Sequence, residues 1–171
     1  SGSTNYAWAG WALGMGYYGR MMGTGDVVSK VGGVAPTPDT FAPEITHDAL
    51  ADSHSKSRTI SAKMADAGDP PSGLNVSTTA GVGPTLYYRI TTADGTTGSW
   101  TSELLTPQGS STRAQCVLSA CTWSADLEDL EREDSVEYYI YAEDTSQVAS
   151  TVNSLTTSTE TFSVGDPNMM F

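Results

Sequence analysis

Positive charge is scarce in this chain: eight Lys and Arg stand against twenty Asp and Glu, a net charge of −12 over 171 residues. Only Lys30, Lys56 and Lys63 are lysines. Nucleic-acid binding needs a dense basic patch to neutralise phosphates, and attraction to an anionic membrane surface needs the same. Neither partner is expected. Charge of either sign is also sparse, at 16% of residues, against roughly 25% in ordinary soluble domains. Histidine occurs only at positions 47 and 54, and cysteine only at 116 and 121, so a zinc site cannot draw four soft ligands from near neighbours. No Gly-x-Ser-x-Gly elbow, His-Glu-x-x-His helix or phosphate-binding loop occurs in the sequence, and these are the short motifs that carry a catalytic mechanism. His47 and His54 are flanked by Asp48, Asp52, Ser53 and Ser55, material for a hydrolase triad, but ordinary surface histidines are the expectation. The chain is not expected to be an enzyme.

What is abundant is the small hydroxyl: 23 Thr and 21 Ser. Thr is β-branched and suits strands, while Ser suits turns. The acidic surplus fits colloidal repulsion or binding of divalent cations. Cys116 and Cys121 are five positions apart, a separation that a tight hairpin closes. A disulfide there is expected, contributing about 2 kcal/mol through the short loop, and it implies an oxidising, extracellular setting. The alternative is a pair of buried free thiols. Asn75-Val76-Ser77 is an N-glycosylation sequon, which points the same way and makes Asn75 a candidate glycan site. The chain opens with Ser1 and without a leader-like segment, and is read as a mature or excised product.

Composition divides the chain into zones. Residues 1–33 are rich in Gly, Ala and aromatics and form an apolar arm, possible helix material. Residues 34–43 contain Pro36, Pro38 and Pro43 and read as an extended linker. Residues 44–166 alternate apolar and polar positions, and residues 167–171 are a tail that stops on an apolar note. Arg58–Met64 places Ile60, Ala62 and Met64 on one face; Leu86–Ile90 does the same with Leu86, Tyr88 and Ile90. Ser135–Ala142 turns Val136, Tyr138, Ile140 and Ala142 inward and Glu137, Tyr139 and Tyr141 outward. This period of two is that of half-buried antiparallel strands. Shorter strands are expected at Glu44–Asp48, Ser99–Leu105, Thr122–Leu127 and Glu160–Val164. Turn chemistry separates them at Asp69–Gly73, Asp94-Gly95 and Thr106–Gly109. About seven short strands in roughly 120 residues make an antiparallel β-sandwich. Its core is expected to hold Ile60, Met64, Leu86, Tyr88, Ile90, Trp123, Val136, Tyr138 and Ile140.

The order Arg58-Thr59-Ile60-Ser61-Ala62, Asp66, Leu86-Tyr87-Tyr88-Arg89, Gly98-Ser99-Trp100-Thr101 and Asp134–Asp144 resembles fibronectin type III or immunoglobulin-like modules of archaeal and bacterial secreted and cell-surface proteins. The resemblance covers about residues 43–165. It implies a seven-stranded sandwich serving as spacer, adhesion domain or fibre unit, without catalytic residues. The Cys116–Cys121 pair is too close in sequence to be the inter-sheet disulfide of antibodies, and residues 1–33 match nothing in such a module.

Asp66 and Asp69 follow one expected strand; Glu143 and Asp144 follow another. Strand ends meet at a sandwich rim, so these four carboxylates are candidate Ca²⁺ ligands, Ca²⁺ taking six to eight hard oxygens. Turn-capping without an ion is the alternative. The run Asp126, Glu128, Asp129, Glu131, Glu133, Asp134 reads as a solvated turn. The arm carries Tyr6 to Met22 interrupted only by Arg20, slightly short of the about 20 residues of a membrane span. Gly10-x-x-x-Gly14 permits close approach of packed chains. Trp8, Gly10, Trp11, Gly14, Tyr17 and Tyr18 are therefore candidate subunit contacts, with other copies of the chain as the partner. The arm also reads as the last helix of an upstream domain, or as an anchor lying on a membrane.

Two functions follow. One is an extracellular, cell-surface structural subunit that self-assembles into a filament or layer through the arm. The other is an accessory domain of a secreted hydrolase, either spacer or carbohydrate-binding, with residues 1–33 a remnant of the upstream domain. Trp100, Tyr139 and Tyr141 would be the glycan platform of a binding module.

Overall fold

The chain divides between Thr37 and Pro38 into two units. The fold was obtained as a computed structural model that describes residues 39–68, 71–148 and 151–165, all of the second unit. The arm residues Trp8, Gly10, Trp11, Gly14, Tyr17 and Tyr18, the candidate ligand Asp69, residues 34–38 of the Pro-rich linker and the tail lie outside the described residues.

Strands with one apolar face bury it by stacking face to face, and this chain does so. Among the described residues are β1 (Glu44–Thr46), β2 (Arg58–Ala65), β3 (Thr85–Thr91), β4 (Thr101–Leu104), β5 (Thr106–Pro107), β6 (Cys121–Leu127), β7 (Ser135–Val148), β8 (Thr151–Thr156) and β9 (Glu160–Ser163). They form two antiparallel sheets, ordered β1-β2-β6-β5 and β4-β3-β7-β8, with β9 also on β7. β3 and β9 both pair with Ser135–Tyr138 and therefore occupy opposite edges of β7; β8 takes over β9's edge from Tyr141 onward. The fold is a mainly β, antiparallel β-sandwich, as the alternation predicts.

The registers place the expected faces together. Ile60 sits opposite Ala125 and Ala62 opposite Trp123; Leu86 sits opposite Ile140 and Tyr88 opposite Tyr138. Ile60, Met64, Leu86, Trp123, Val136, Tyr138 and Ile140 are fully buried, joined by Leu74, Leu105, Leu130, Phe162 and Val164. Tyr88 and Ile90 are only half-buried, packed against the core from its edge. The Tyr138 hydroxyl accepts from the Leu50 N–H (3.1 Å) and meets His47 Nε2 at 2.8 Å. His47 Nδ1 lies 2.7 Å from the Ser61 carbonyl, which can only accept, so Nδ1 carries a proton and donates there. A buried phenol is thereby satisfied, as it must be to avoid a desolvation cost of about 1–3 kcal/mol.

Three elements depart from the sequence expectation. β5 occupies part of the expected Thr106–Gly109 turn; Pro107 tolerates an edge strand, and Gly109, at φ 69°, supplies the turn that follows. A 3₁₀ turn, Arg113–Cys116, is closed by a capping box between Thr112 and Gln115. β8 is a Thr-, Ser- and Asn-rich edge strand whose composition reads as loop. The expected solvated acidic turn is also partly buried: Asp134 is in the interior, its Oδ2 accepting from the Glu131 N–H at 2.8 Å. That bond organises a turn in which Asp129 and Glu133 take φ of 58° and 66°.

Candidate functional site

Three aspartates from distant segments converge: Asp39 ahead of β1, Asp66 just after β2, and Asp144 within β7. One ligand oxygen of each lies within 4.8 Å of the others. The same local device holds all three. Asp39 Oδ1 accepts from the Phe41 N–H at 3.0 Å, Asp66 Oδ1 from Gly68 at 2.9 Å, and Asp144 Oδ1 from Ser146 at 2.9 Å. Each is an Asx turn, in which the side chain bonds the backbone two residues on. The second oxygen of each then ties down another segment. Asp39 Oδ2 accepts from the Ser72 N–H (3.0 Å), Asp66 Oδ2 from the Gly73 N–H, and Asp144 Oδ2 from Asn153 Nδ2 (3.0 Å). The Asp39 carbonyl accepts from Ser146 Oγ (2.7 Å) and Asn153 Nδ2 (3.2 Å). Gly68 allows this close approach, because a Cβ on it would stand 2.2 Å from Asp39 Oδ2 and the carboxylate would have to shift.

All these donors are neutral. The Phe41 and Ser72 hydrogen bonds hold the Asp39 carboxyl below the usual carboxylate range, against the opposing effect of burial. Asp144 is pushed up, chiefly by burial and further by the nearby Asp39 and Asp66 charges, with Asn153 and Ser146 acting the other way. An ionised carboxylate offers about four lone-pair sites, so each group keeps capacity beyond its N–H donors. Asp144 is 1% exposed and Asp39 7%, a burial that suits a small hard cation better than a substrate.

Of the four sequence-predicted ligands, Asp66 and Asp144 come together. Glu143 does not join them: adjacent strand residues face opposite ways, and its carboxylate accepts from Asn75 Nδ2 (2.8 Å) and the Tyr141 hydroxyl (2.7 Å). Burial and the Glu143 carboxylate beside it push the Tyr141 hydroxyl up to about 12. Asp39 was missed because it sits in the Pro-rich stretch, 27 positions before Asp66. Its only signal is that Asp in such a stretch is a turn former.

A second carboxylate group lines an open groove of about 430 Å³ between β4 and β5–β6. Its floor is Tyr88, Ile90, Leu127 and Leu130; Glu103, Asp126 and Glu128 are its acids, and no lining residue is basic. Burial, and then the Asp126 and Glu128 charges, push the Glu103 carboxyl up. β6 pairs with β5 only through Trp123 and Ser124, so Ala125–Leu127 have no strand on that side among the described residues.

The aromatics of the outer sheet face hold one another. Tyr87 and Tyr139 stack with centroids 4.9 Å apart, and Trp100 meets Tyr139 edge-on at 5.0 Å. The Arg89 guanidinium lies over the Trp100 ring at 4.9 Å and pairs with Glu137 at 2.5 Å. Cys116 and Cys121 are disulfide-bonded, Cα atoms 5.6 Å apart, joining the 3₁₀ turn to the start of β6. Asn75 Oδ1 accepts from the Ser77 N–H at 3.1 Å, forming another Asx turn. His54 Nδ1 donates to the Gly165 carbonyl at 3.0 Å. Among the described residues no helix is long and apolar enough to cross a membrane. No protein-family model matches the chain, and no curated protein matches it significantly.

Proposed function

We propose that this chain is an extracellular, non-enzymatic structural subunit of the fibronectin type III or immunoglobulin-like kind, assembling with other copies of itself through residues 1–33. The observation that carries this reading is the contrast between a sandwich whose buried side chains from Ile60 to Val164 pack on one another and an arm with five aromatics among residues 1–18. An apolar segment of that kind requires a partner surface. The sheet order β1-β2-β6-β5 against β4-β3-β7-β8 is compatible with such modules, and the Cys116–Cys121 bond is in keeping with an oxidising setting. A contact between arm and sandwich of successive copies is heterologous, and it propagates as a filament unless rotation closes it. Calcium is the cation we assign to Asp39, Asp66 and Asp144, where it would lock the segment ahead of β1 to β2 and β7. Electron microscopy of purified native material tests the reading. Filaments or sheets support it; a monodisperse monomer at high concentration overturns it in favour of an accessory domain of a secreted hydrolase.

A further inference from the structure

The groove between β4 and β5–β6 opens where the chain changes sheets. Leu104 pairs with Thr85 in one sheet and Thr106 with Ser124 in the other, so the crossing falls at the fully buried Leu105. Continued straight, β5 would set Leu104 against Asp126; instead the two part, and both line the groove. The Gln108 N–H donates to the Thr122 carbonyl at 2.8 Å. The main-chain groups of a strand turn to its two neighbours alternately, so Ser124 and Asp126 also direct theirs to the β5 side. Asp126 meets no strand there among the described residues.

The acids of the groove face both ways. Glu103 stands opposite buried Leu86, and directly opposed residues share a face of the sheet, so its carboxylate enters the mouth of the sandwich. The floor there is Tyr88, Ile90, Leu127 and Leu130, and Tyr88 and Ile90 are half-buried where most inner-face residues are fully buried. Asp126 alternates with buried Ala125 and Leu127, and Thr59 Oγ1 donates to it across the sheet at 2.5 Å. Its side chain therefore leaves on the outer face, with Glu128 two positions on. No lining residue is basic. A carboxylate set over an apolar floor is costly unless a cation pairs with it.

An unpaired strand edge beside an apolar floor takes an added strand, whose main chain supplies affinity and whose side chains supply selection. We propose that this groove receives an extended segment of a different, basic protein. Its outer-face Lys or Arg pair with Asp126 and Glu128, its aliphatic side chains cover the floor, and one inner-face cation reaches Glu103. Charge argues for a foreign partner. This chain's eight Lys and Arg come within four positions of one another only at Lys56 and Arg58. Lys56 is paired with Glu131 and Arg58 begins β2, so the chain has no free segment carrying two cations at strand spacing. The inference stands apart from the assembly reading, since no residue of 1–33 enters it.

The test uses the full-length chain and a blocked heptapeptide, Val-Lys-Val-Lys-Lys-Lys-Val, which as a strand sets three lysines on one face and one among valines on the other. Calorimetric titration is expected to show saturable binding that weakens about tenfold with Glu103→Gln, and about tenfold with Asp126→Asn and Glu128→Gln together. A zero-length carbodiimide is expected to join peptide lysines to Glu103, Asp126 or Glu128, read by peptide mass spectrometry. Two further peptides carry N-methyl groups on the odd or on the even amides, keeping every charge and every valine. One of the two is expected to lose binding, because its methyl groups face the Asp126 main chain. If both bind as the parent peptide does, strand addition is overturned. Absence of saturable binding, cross-links spread over the other acids of the chain, or a free triamine that competes as well as the peptide overturns the proposal as a whole.

Discussion

Two trios of carboxylates lie on this sandwich, and the chain treats them differently. Asp39, Asp66 and Asp144 are threaded with backbone N–H donors, one oxygen organising its own turn and the other holding a neighbouring segment. Glu103, Asp126 and Glu128 line an open groove, and the Thr59 hydroxyl donates to Asp126. The first trio is a knot tied by its own turns. The second borders a stretch of β6, Ala125–Leu127, that β5 does not reach. Number of charges does not separate them; what separates them is whether the local backbone already satisfies the oxygens.

The largest effect comes from breaking the frame that carries both. Tyr138→Ala removes a fully buried ring together with its His47 and Leu50 hydrogen bonds, and a loss of about 3–5 kcal/mol is expected by denaturant melts. That approaches the whole stability of a domain of this size. Tyr138→Phe separates the two parts, since it keeps the packing and leaves the Leu50 N–H unpaired.

Calcium sharpens the contrast next. At a concentration a hundredfold above its dissociation constant it stabilises the fold by about 2.7 kcal/mol, read as a melting temperature that falls on adding chelator. Asp66→Asn abolishes that shift, whereas Asp126→Lys with Glu128→Lys keeps it whole. A chelator-insensitive melting temperature in the unmodified chain would remove calcium from the account. Gly68→Ala follows: its Cβ meets the Asp39 carboxylate at 2.2 Å, and overpacking of this kind costs about 1–3 kcal/mol. The variant also loses the calcium shift, by displacing Asp39.

The smallest effect is on pH dependence. Asp144 and Glu103 are both pushed up in the folded chain, so the stability they contribute is present in acid and lost as pH rises through their raised values. Asp39, held low, runs the opposite way, losing its contribution as pH falls through its own value. In chelator the Asp144 and Glu103 losses add on the rising side. Saturating calcium cancels the Asp144 part, because the cation replaces the proton, and Glu103→Gln cancels the other. If calcium leaves the rising-side loss of the Glu103→Gln variant unchanged, the two trios are not distinct in the way described.

The fold was legible where one physical rule operated alone. Alternation over Arg58–Met64 and Ser135–Ala142 gave the inward faces, because half-burial writes a period of two into the sequence. β8 escaped because Thr and Ser serve strands and loops alike, and β7's extension to Val148 escaped because Glu143-Asp144 resembles a strand end. Strand alternation alone should have separated Glu143 from Asp144; treating them as one rim cluster ignored it. Asp39 needed the tertiary fold, since nothing local ties residue 39 to residue 66. Tyr88 and Ile90 carry the same pattern as Tyr138 and Ile140, and only the missing length of β5 leaves them half-covered.

In the function proposed above, the arm joins copies of a sandwich that folds without it. The direct measurement is sedimentation of full-length Gly14→Leu beside its thermal melt by circular dichroism. Loss of close packing at Gly10-x-x-x-Gly14 should leave the variant as a monomer that melts within a few degrees of the unmodified chain, which itself sediments as polymer. A Gly14→Leu chain that sediments as polymer just as the unmodified one does would contradict the claim.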